Sequence, residues 1–196
     1  MKSIQASSNA GFSLVEVLLA LALGTGLFGV ILKALFVEAR HSGQLVRLLR
    51  EKAFQRRSMD LIASDLSQAS GVNVSPEWAE PACALAGRAP VLHLDTGAGP
   101  ITYSVGRPPS EIWRGQVLMR CGPAYGLDGT LSSGKAAPNR VVIDGLIGTG
   151  AEAFRAKLEP SNGVLVLELH QSFAARDNEQ KIDSERVLDL AGLEFL

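Results

Sequence analysis

The residues able to do chemistry are few and widely spaced. Residues 12–32, FSLVEVLLALALGTGLFGVIL, form a 21-residue apolar run whose one charge is Glu16. A carboxylate inside a membrane span costs about 2.5–3.5 kcal/mol at mid-bilayer and less near an end, and such a residue usually marks a function or finds a partner. The plain alternative is that Glu16, near the start of the run, reaches back to the interface. Two cysteines, Cys83 and Cys121, fall outside any CxxC or zinc-type spacing. An oxidising compartment would favour one disulfide between them, and a reducing one two buried thiols. His41, His93 and His170 are scattered and suggest no metal cluster.

The motifs that match by letter fail by context. Gly24-Thr25-Gly26-Leu27-Phe28-Gly29 reads GxGxxG but lies inside the apolar run and follows no strand, where a dinucleotide site is physically unreasonable. Gly148-Thr149-Gly150-Ala151-Glu152-Ala153 follows a strand-like run, yet Pro160 comes too soon to leave room for a crossover helix. There is no P-loop, HExxH or GxSxG. Trp78, Trp113, Tyr103 and Tyr125 have no basic residues interleaved as a nucleic-acid surface would, so Tyr103 and the tryptophans read as core or interface packing. The expectation is a chain that is not an enzyme, with no catalytic residue, cofactor, metal or nucleic-acid partner.

The elements that hold these residues divide at clear changes of texture. The 196 residues suit one globular domain plus an appendage. Residues 33–60 hold seven Lys/Arg against three Asp/Glu, a net +4, and residues 61–196 hold eleven against sixteen, a net −5. A basic-leaning stretch after an apolar run fits lipid headgroups or a partner subunit, or a solvated helix face. Between Lys33 and Gln68 there is no proline and one glycine, Gly43. Met59, Ile62, Leu66 and Ala69 recur at helical spacing, with Leu45, Leu48 and Leu49 as a second patch and Arg47, Arg50, Glu51, Arg56, Arg57 and Asp60 as the charged face. The spacing predicts one helix from Phe12 to about Ala69. From Gly71 onward, strands are expected near Val91–Leu94, Ile101–Val105, Gln116–Arg120, Val141–Leu146, Ala153–Leu158, Val164–His170 and Val187–Leu193. No helical pattern separates them, which argues for an antiparallel meander. The fold class expected is α+β, a long N-terminal helix packed on an antiparallel sheet.

Gly11-Phe12-Ser13-Leu14-Val15-Glu16, after a polar leader and before the long apolar run, resembles the cleavage and methylation motif of type IV prepilins and type II secretion pseudopilins. The resemblance implies a pilin-like fold, cleavage after Gly11 on the cytoplasmic face and N-methylation of Phe12 as the new terminus. Glycine suits the cut because it presents no side chain to a tight cleft. Glu16 would then sit one turn inside, where pairing with the amine of a neighbouring subunit favours one axial register. The implied organisation is leader 1–11, transmembrane and assembly half 12–32, amphipathic half 33–70 and β-rich head 71–196. Asp60-Leu61-Ile62-Ala63-Ser64-Asp65-Leu66, closing the helix, is similar to the Leu-x-x-Asp-Leu helix end of W-type minor pilins and J-type minor pseudopilins. Ile101-Thr102-Tyr103-Ser104-Val105, Val117-Leu118-Met119-Arg120 and Val142-Ile143-Asp144-Gly145 share that likeness. Lys33 stands where many major pilins have proline, which points to a minor subunit, and retention of Glu16 argues against a K-type tip pseudopilin.

The resemblance implies a minor pilin contributing to pilus assembly, or a J-type pseudopilin of type II secretion. The partners implied are a prepilin peptidase/methyltransferase, other pilins or pseudopilins of one filament, an inner-membrane assembly platform and membrane lipid. The place implied is a single-pass inner membrane with the head outside the cytoplasm, then a pilus or periplasmic pseudopilus. An exported head makes a Cys83–Cys121 disulfide the expectation. A secretory signal is a poorer fit, because its apolar core is shorter and its small-residue site follows that core. A membrane-tethered binding or sensor domain is the rival from another class. The flanking charges, Lys2 against Lys33 and Arg40 with Glu38 between them, favour neither orientation.

Overall fold

The structure, a computed structural model, describes residues 13–75, 80–133, 137–159, 161, 163–175, 178–190 and 194–195. The chain divides at Arg47/Leu48 into two compact units. One helix, α1 (Leu14–Leu66), supplies the described part of the first unit and the first element of the second. It begins where the Ser13 carbonyl accepts the Glu16 and Val17 amides at 2.9 and 3.2 Å. Its interior is free of proline and rich in Leu, Ala, Arg and Glu, which lose little rotamer freedom in a helix. It closes on a tightened turn in which Gln68 N–H donates to the Asp65 carbonyl at 3.1 Å. The expected end near Ala69 is too late, because Ala69 already opens the first strand.

Among the described residues the second unit carries nine strands: β1 (Ala69–Asn73), β2 (Ala89–Thr96), β3 (Ile101–Gly106), β4 (Gln116–Cys121), β5 (Asn139–Leu146), β6 (Phe154–Glu159), β7 (Val164–Ala175), β8 (Asn178–Asp189) and β9 (Glu194–Phe195). Their order is β6-β7-β5-β4-β3-β2-β1-β9, with β8 paired to β7 off that path. All pairings are antiparallel except β1 with β9, which is parallel. The α+β class and the antiparallel sheet agree with expectation, and six of the seven expected strands fall on β2–β7. The seventh needs correction: the strand is Asn178–Asp189, and residues 191–193 lie outside those described.

One face of the sheet takes the helix. Met59, Ile62 and Leu66 are buried in one cluster with Leu92, Ile101, Tyr103, Leu118, Ile143, Phe154, Leu165 and Leu167. The other face of the central strands is buried too: Thr102, Ser104, Val117 and Met119 are at most 3% exposed. A disulfide joins Cys83 to Cys121 at the end of β4, and Asn139 Nδ2 donates to the Ala84 carbonyl at 3.1 Å. These two links hold the 83–84 segment against that side. Covered on both faces, β3 reads ITYSVG with no alternation of burial over Ile101–Val105.

The helix end is fixed to the sheet by a buried polar cluster. Asp65, fully buried, accepts from Tyr103 OH at 2.5 Å, Arg120 Nε at 2.6 Å, Arg120 Nη2 at 2.9 Å and Tyr125 OH at 2.7 Å. Arg120 Nη1 also donates to the Pro123 carbonyl at 2.8 Å. Burial pushes the Tyr103 hydroxyl well above its ordinary value, and the Asp65 charge pushes it further. Burial likewise pushes Tyr125 up to about 12, with the Ser64 hydrogen bond opposing and the Asp65 bond assisting. Unfolded tyrosines lose their protons near pH ~10, while these two keep theirs in the fold. Their stabilising contribution is therefore complete below about pH 10 and is lost as pH rises towards about 12 and beyond. Denaturant unfolding at about pH 9 and about pH 11.5 should show the parent losing stability, and a Tyr103→Phe, Tyr125→Phe variant losing less. Equal losses in parent and variant would refute the assignment.

Candidate functional site

The first unit presents an apolar helix stretch that no described residue buries. Leu14–Phe36 is long and apolar enough to cross a membrane, and none of it is buried. Its 23 residues rise about 35 Å, against a hydrocarbon core of about 30 Å. Leu14, Leu18, Leu21, Phe28, Ile31 and Phe36 are all exposed. A contiguous apolar surface of this kind marks contact with lipid or protein. By length and composition this stretch reaches Phe36 and takes in Lys33 near its end. Thr25, its one hydroxyl, is satisfied inside the helix: Oγ1 donates to the Leu21 and Ala22 carbonyls at 2.9 and 3.1 Å. A hydroxyl satisfied within its own helix suits a medium without water.

Glu16 lies in the first turn of α1. Ser13 and Glu16 stand at capping-box spacing, and a carboxylate there is favoured by the positive end of the helix dipole. Glu16 and Lys33 are about 26 Å apart along the axis at the standard rise, so both polar groups sit near the ends of the span. Gly11 and Phe12 lie outside the described residues. A Cβ added at Gly24, Gly26 or Gly29 would meet nothing within 4 Å, so these glycines are not required by packing within the chain.

The segments with the softer resemblance converge. The Asp65 of the helix end meets Tyr103 of β3 and Arg120 of β4 in the polar cluster. Asp144 accepts from the Arg114 backbone N–H at 3.0 Å and from its Nη2 at 3.2 Å. The Asp144 hydrogen bond is the largest influence on Arg114 and raises its pKa. Gly145 follows at φ +72, and a Cβ there would stand 2.9 Å from the Ser172 carbonyl oxygen. These residues join helix to sheet and strand to loop. Cys83 and Cys121 are brought together with Cα atoms 6.0 Å apart, within the range a disulfide spans.

Sequence reasoning missed two polar anchors on α1. Glu51, expected on the charged face, is buried and pairs with Arg114 Nη2 at 3.4 Å. Gln55, one turn on, is 1% exposed, accepts from Ser184 Oγ at 2.6 Å and donates to the Ile182 carbonyl at 3.3 Å. Both continue the face of Met59, Ile62 and Leu66 towards the N-terminus, and that continuation was the available signal.

His93 has Nδ1 2.8 Å from Thr102 Oγ1 and Nε2 3.5 Å from Asp95. The hydroxyl is buried under the covered sheet face, so this trio braces β2 on β3 and offers no reachable nucleophile. Among the described residues no group of three or more His, Cys, Asp or Glu is placed to hold a metal ion. No protein-family model, curated protein or solved structure matches the chain.

Proposed function

We propose that the chain is a minor subunit of a type IV pilus-like filament, made as a membrane-inserted precursor and cut after Gly11. The observation that carries the reading is Gly11-Phe12-Ser13-Leu14-Val15-Glu16 running directly into an exposed apolar helix with its one carboxylate in the first turn. The α+β arrangement, with the last turns of that helix seated on an antiparallel sheet, supports a pilin-like fold. The subunit serves assembly and is not an enzyme. Prepilin peptidase/methyltransferase, sister subunits and the inner-membrane platform act on or hold it, and the β-rich part lies outside the cytoplasm. A J-type pseudopilin of type II secretion rests on the same residues and differs in the filament it joins.

The physical role falls to Glu16. Cleavage creates a cationic amine at Phe12, four residues away. In a filament, the carboxylate of one subunit and the amine of its neighbour neutralise each other, and leaving either unpaired in an apolar bundle is unfavourable enough to fix the register. Glu16→Ala should leave membrane insertion intact and lower incorporation into sheared filaments about tenfold or more, the equivalent of about 1.4 kcal/mol. Mass spectrometry of the cell-derived parent should find methylated Phe12 at the N-terminus. A terminus at Met1, or equal incorporation of mutant and parent, would count against the proposal, and an uncut chain would favour a simple membrane tether.

A further inference from the structure

Arg120 and Arg140 stand directly opposite one another across β4 and β5. Like charges so placed weaken a sheet. Arg120 is neutralised by Asp65 at 2.6 Å, while Arg140 is exposed and has no ion-pair partner among the described residues. Costs left unrelieved in this way concentrate where a protein meets something else. Arg140 lines a groove of about 400 Å³. One wall carries Phe54, Arg57 and Leu61 of α1, and the other carries Pro138, Arg140 and Val142 of β5 and the segment before it. No acidic residue lines the groove. The carboxylate nearest to hand, Asp65, is already bonded by Tyr103, Arg120 and Tyr125.

The helix wall is a regular stripe. Arg50, Phe54, Arg57 and Leu61 follow one another at steps of four, three and four residues, which sets them on one face over roughly 16 Å. The Arg50 and Arg57 guanidinium groups lie 5.7 and 5.9 Å from the centroid of the Phe54 ring. Stacking on one ring holds both heads in place. Neither arginine has a carboxylate partner among the described residues. Two residues beyond Tyr125, which also lines the groove, Leu127 is fully exposed at the tip of a closed turn. Gly126 N–H donates to the Thr130 carbonyl at 2.8 Å, and Asp128 accepts from the Thr130 N–H at 3.2 Å and from its hydroxyl at 2.8 Å. A leucine presented by so firmly bonded a turn suits a protein partner, and a small anion would make no use of it.

A second copy of this chain is a poor source of the missing carboxylates. In the second unit most described surface carboxylates are engaged, as Asp60 is by Arg186, Asp144 by Arg114 and Asp183 by His170. Glu80, Glu111 and Glu185 have no ion-pair partner among the described residues, and they lie on three separate segments. We propose that the groove is a docking site for an acidic segment of a different chain. Two of its carboxylates bond Arg57 and Arg140, where guanidinium favours paired hydrogen bonds, and an apolar side chain between them packs on Phe54 and Leu61. The identity of that chain rests on the filament reading: it is another kind of subunit of the same filament, met once by each copy of this one.

The test uses the full chain in its native membrane, with a photo-crosslinking phenylalanine analogue at position 61. Irradiation should give a heavier protein adduct, with the crosslink in an Asp- or Glu-bearing peptide of a chain that itself opens on a polar leader, a glycine and an apolar run with one early glutamate. Arg57→Glu with Arg140→Glu should lower the yield about tenfold or more, and arginines in place of the mapped carboxylates should restore it. Arg140→Glu sets a carboxylate opposite Arg120, so the unfolding midpoint should not fall. Arg57→Gln with Arg140→Gln, which adds no charge, should lower the yield in the same direction. A crosslink to a second copy, to a peptide without carboxylates or to no protein, or a charge swap that fails to restore the yield, would overturn the contact. A chain that ends at methylated Phe12 and enters filaments without this crosslink overturns the contact alone. An uncut chain that gives the charge-dependent crosslink overturns the filament reading alone.

Discussion

Asp65→Ala is expected to destabilise the β-rich unit by about 3–5 kcal/mol, the range for removing one partner of a buried ion pair. The substitution leaves the Arg120 guanidinium, whose side chain is 7% exposed, without its counter-charge, and strips acceptors from Tyr103 and Tyr125. Against a typical stability of about 5–15 kcal/mol, that is a large share. The cost lies mostly in the stranded charge, so Asp65→Ala combined with Arg120→Met should be less damaging than Asp65→Ala alone. Denaturant unfolding of the full chain in detergent, followed by near-ultraviolet circular dichroism, reads both variants. A single mutant within about 1 kcal/mol of the parent, or a double mutant worse than the single, would show that the cluster does not hold the helix end.

Loss of the disulfide should have an effect of similar size. Cys83 and Cys121 are 38 residues apart, and closing a loop of that length stabilises the fold by about 4 kcal/mol in the chain-entropy model. The bond also holds the 83–84 segment over the outer face of β4, where Val117 and Met119 are buried. Cys83→Ser with Cys121→Ser should therefore lower the unfolding midpoint and open that face to protease. Reduction of the parent under mild conditions should do the same. Two thiols freely alkylated in denatured, unreduced protein would refute the bond and weaken the case that this unit leaves the cytoplasm.

The parts of the fold that could be read from the sequence are those whose burial follows a period. Met59, Ile62 and Leu66 announce the packed face of α1, and the alternation of Leu165, Leu167 and Leu169 announces β7. Strand β8 breaks that rule. NEQKIDSERVLD is mostly charged or polar, and on the side it turns to the helix the buried Ile182 and the partly buried Leu188 are separated by Ser184 and Arg186, which bond Gln55 and Asp60 where a core strand would use aliphatic groups. Its place comes from twelve residues of backbone pairing with β7, of which the side-chain pattern marks only the end at residues 187–189. The same reason hid Glu51 and Gln55, polar residues buried because their partners are polar. Strand β1 was lost because ASGVN is short and small, and its parallel partner β9 is two residues long. Of the candidate site, the Cys83–Cys121 bond was expected only through the resemblance, since residue type left a disulfide and two buried thiols both open. The convergence of Asp65, Tyr103 and Arg120 was suggested only by resemblance, since their meeting depends on strand register.

The polar anchors of α1 also set the order in which the chain can finish folding. Asp65 must wait for Tyr103, Arg120 and Tyr125, which lie 38, 55 and 60 residues downstream. Gln55 must wait longer still, because Ile182 and Ser184 are 127 and 129 residues away. Contacts so distant along the chain pay their loop-closure entropy before they return any energy, and they slow the approach to the native state. The last turns of the helix are synthesised before the sheet they pack on, and they are enclosed only when its final long strand is in place. Until β8 arrives, the inner face of the helix is open to whatever else is at hand, and a chain stopped short of residue 184 can never close it.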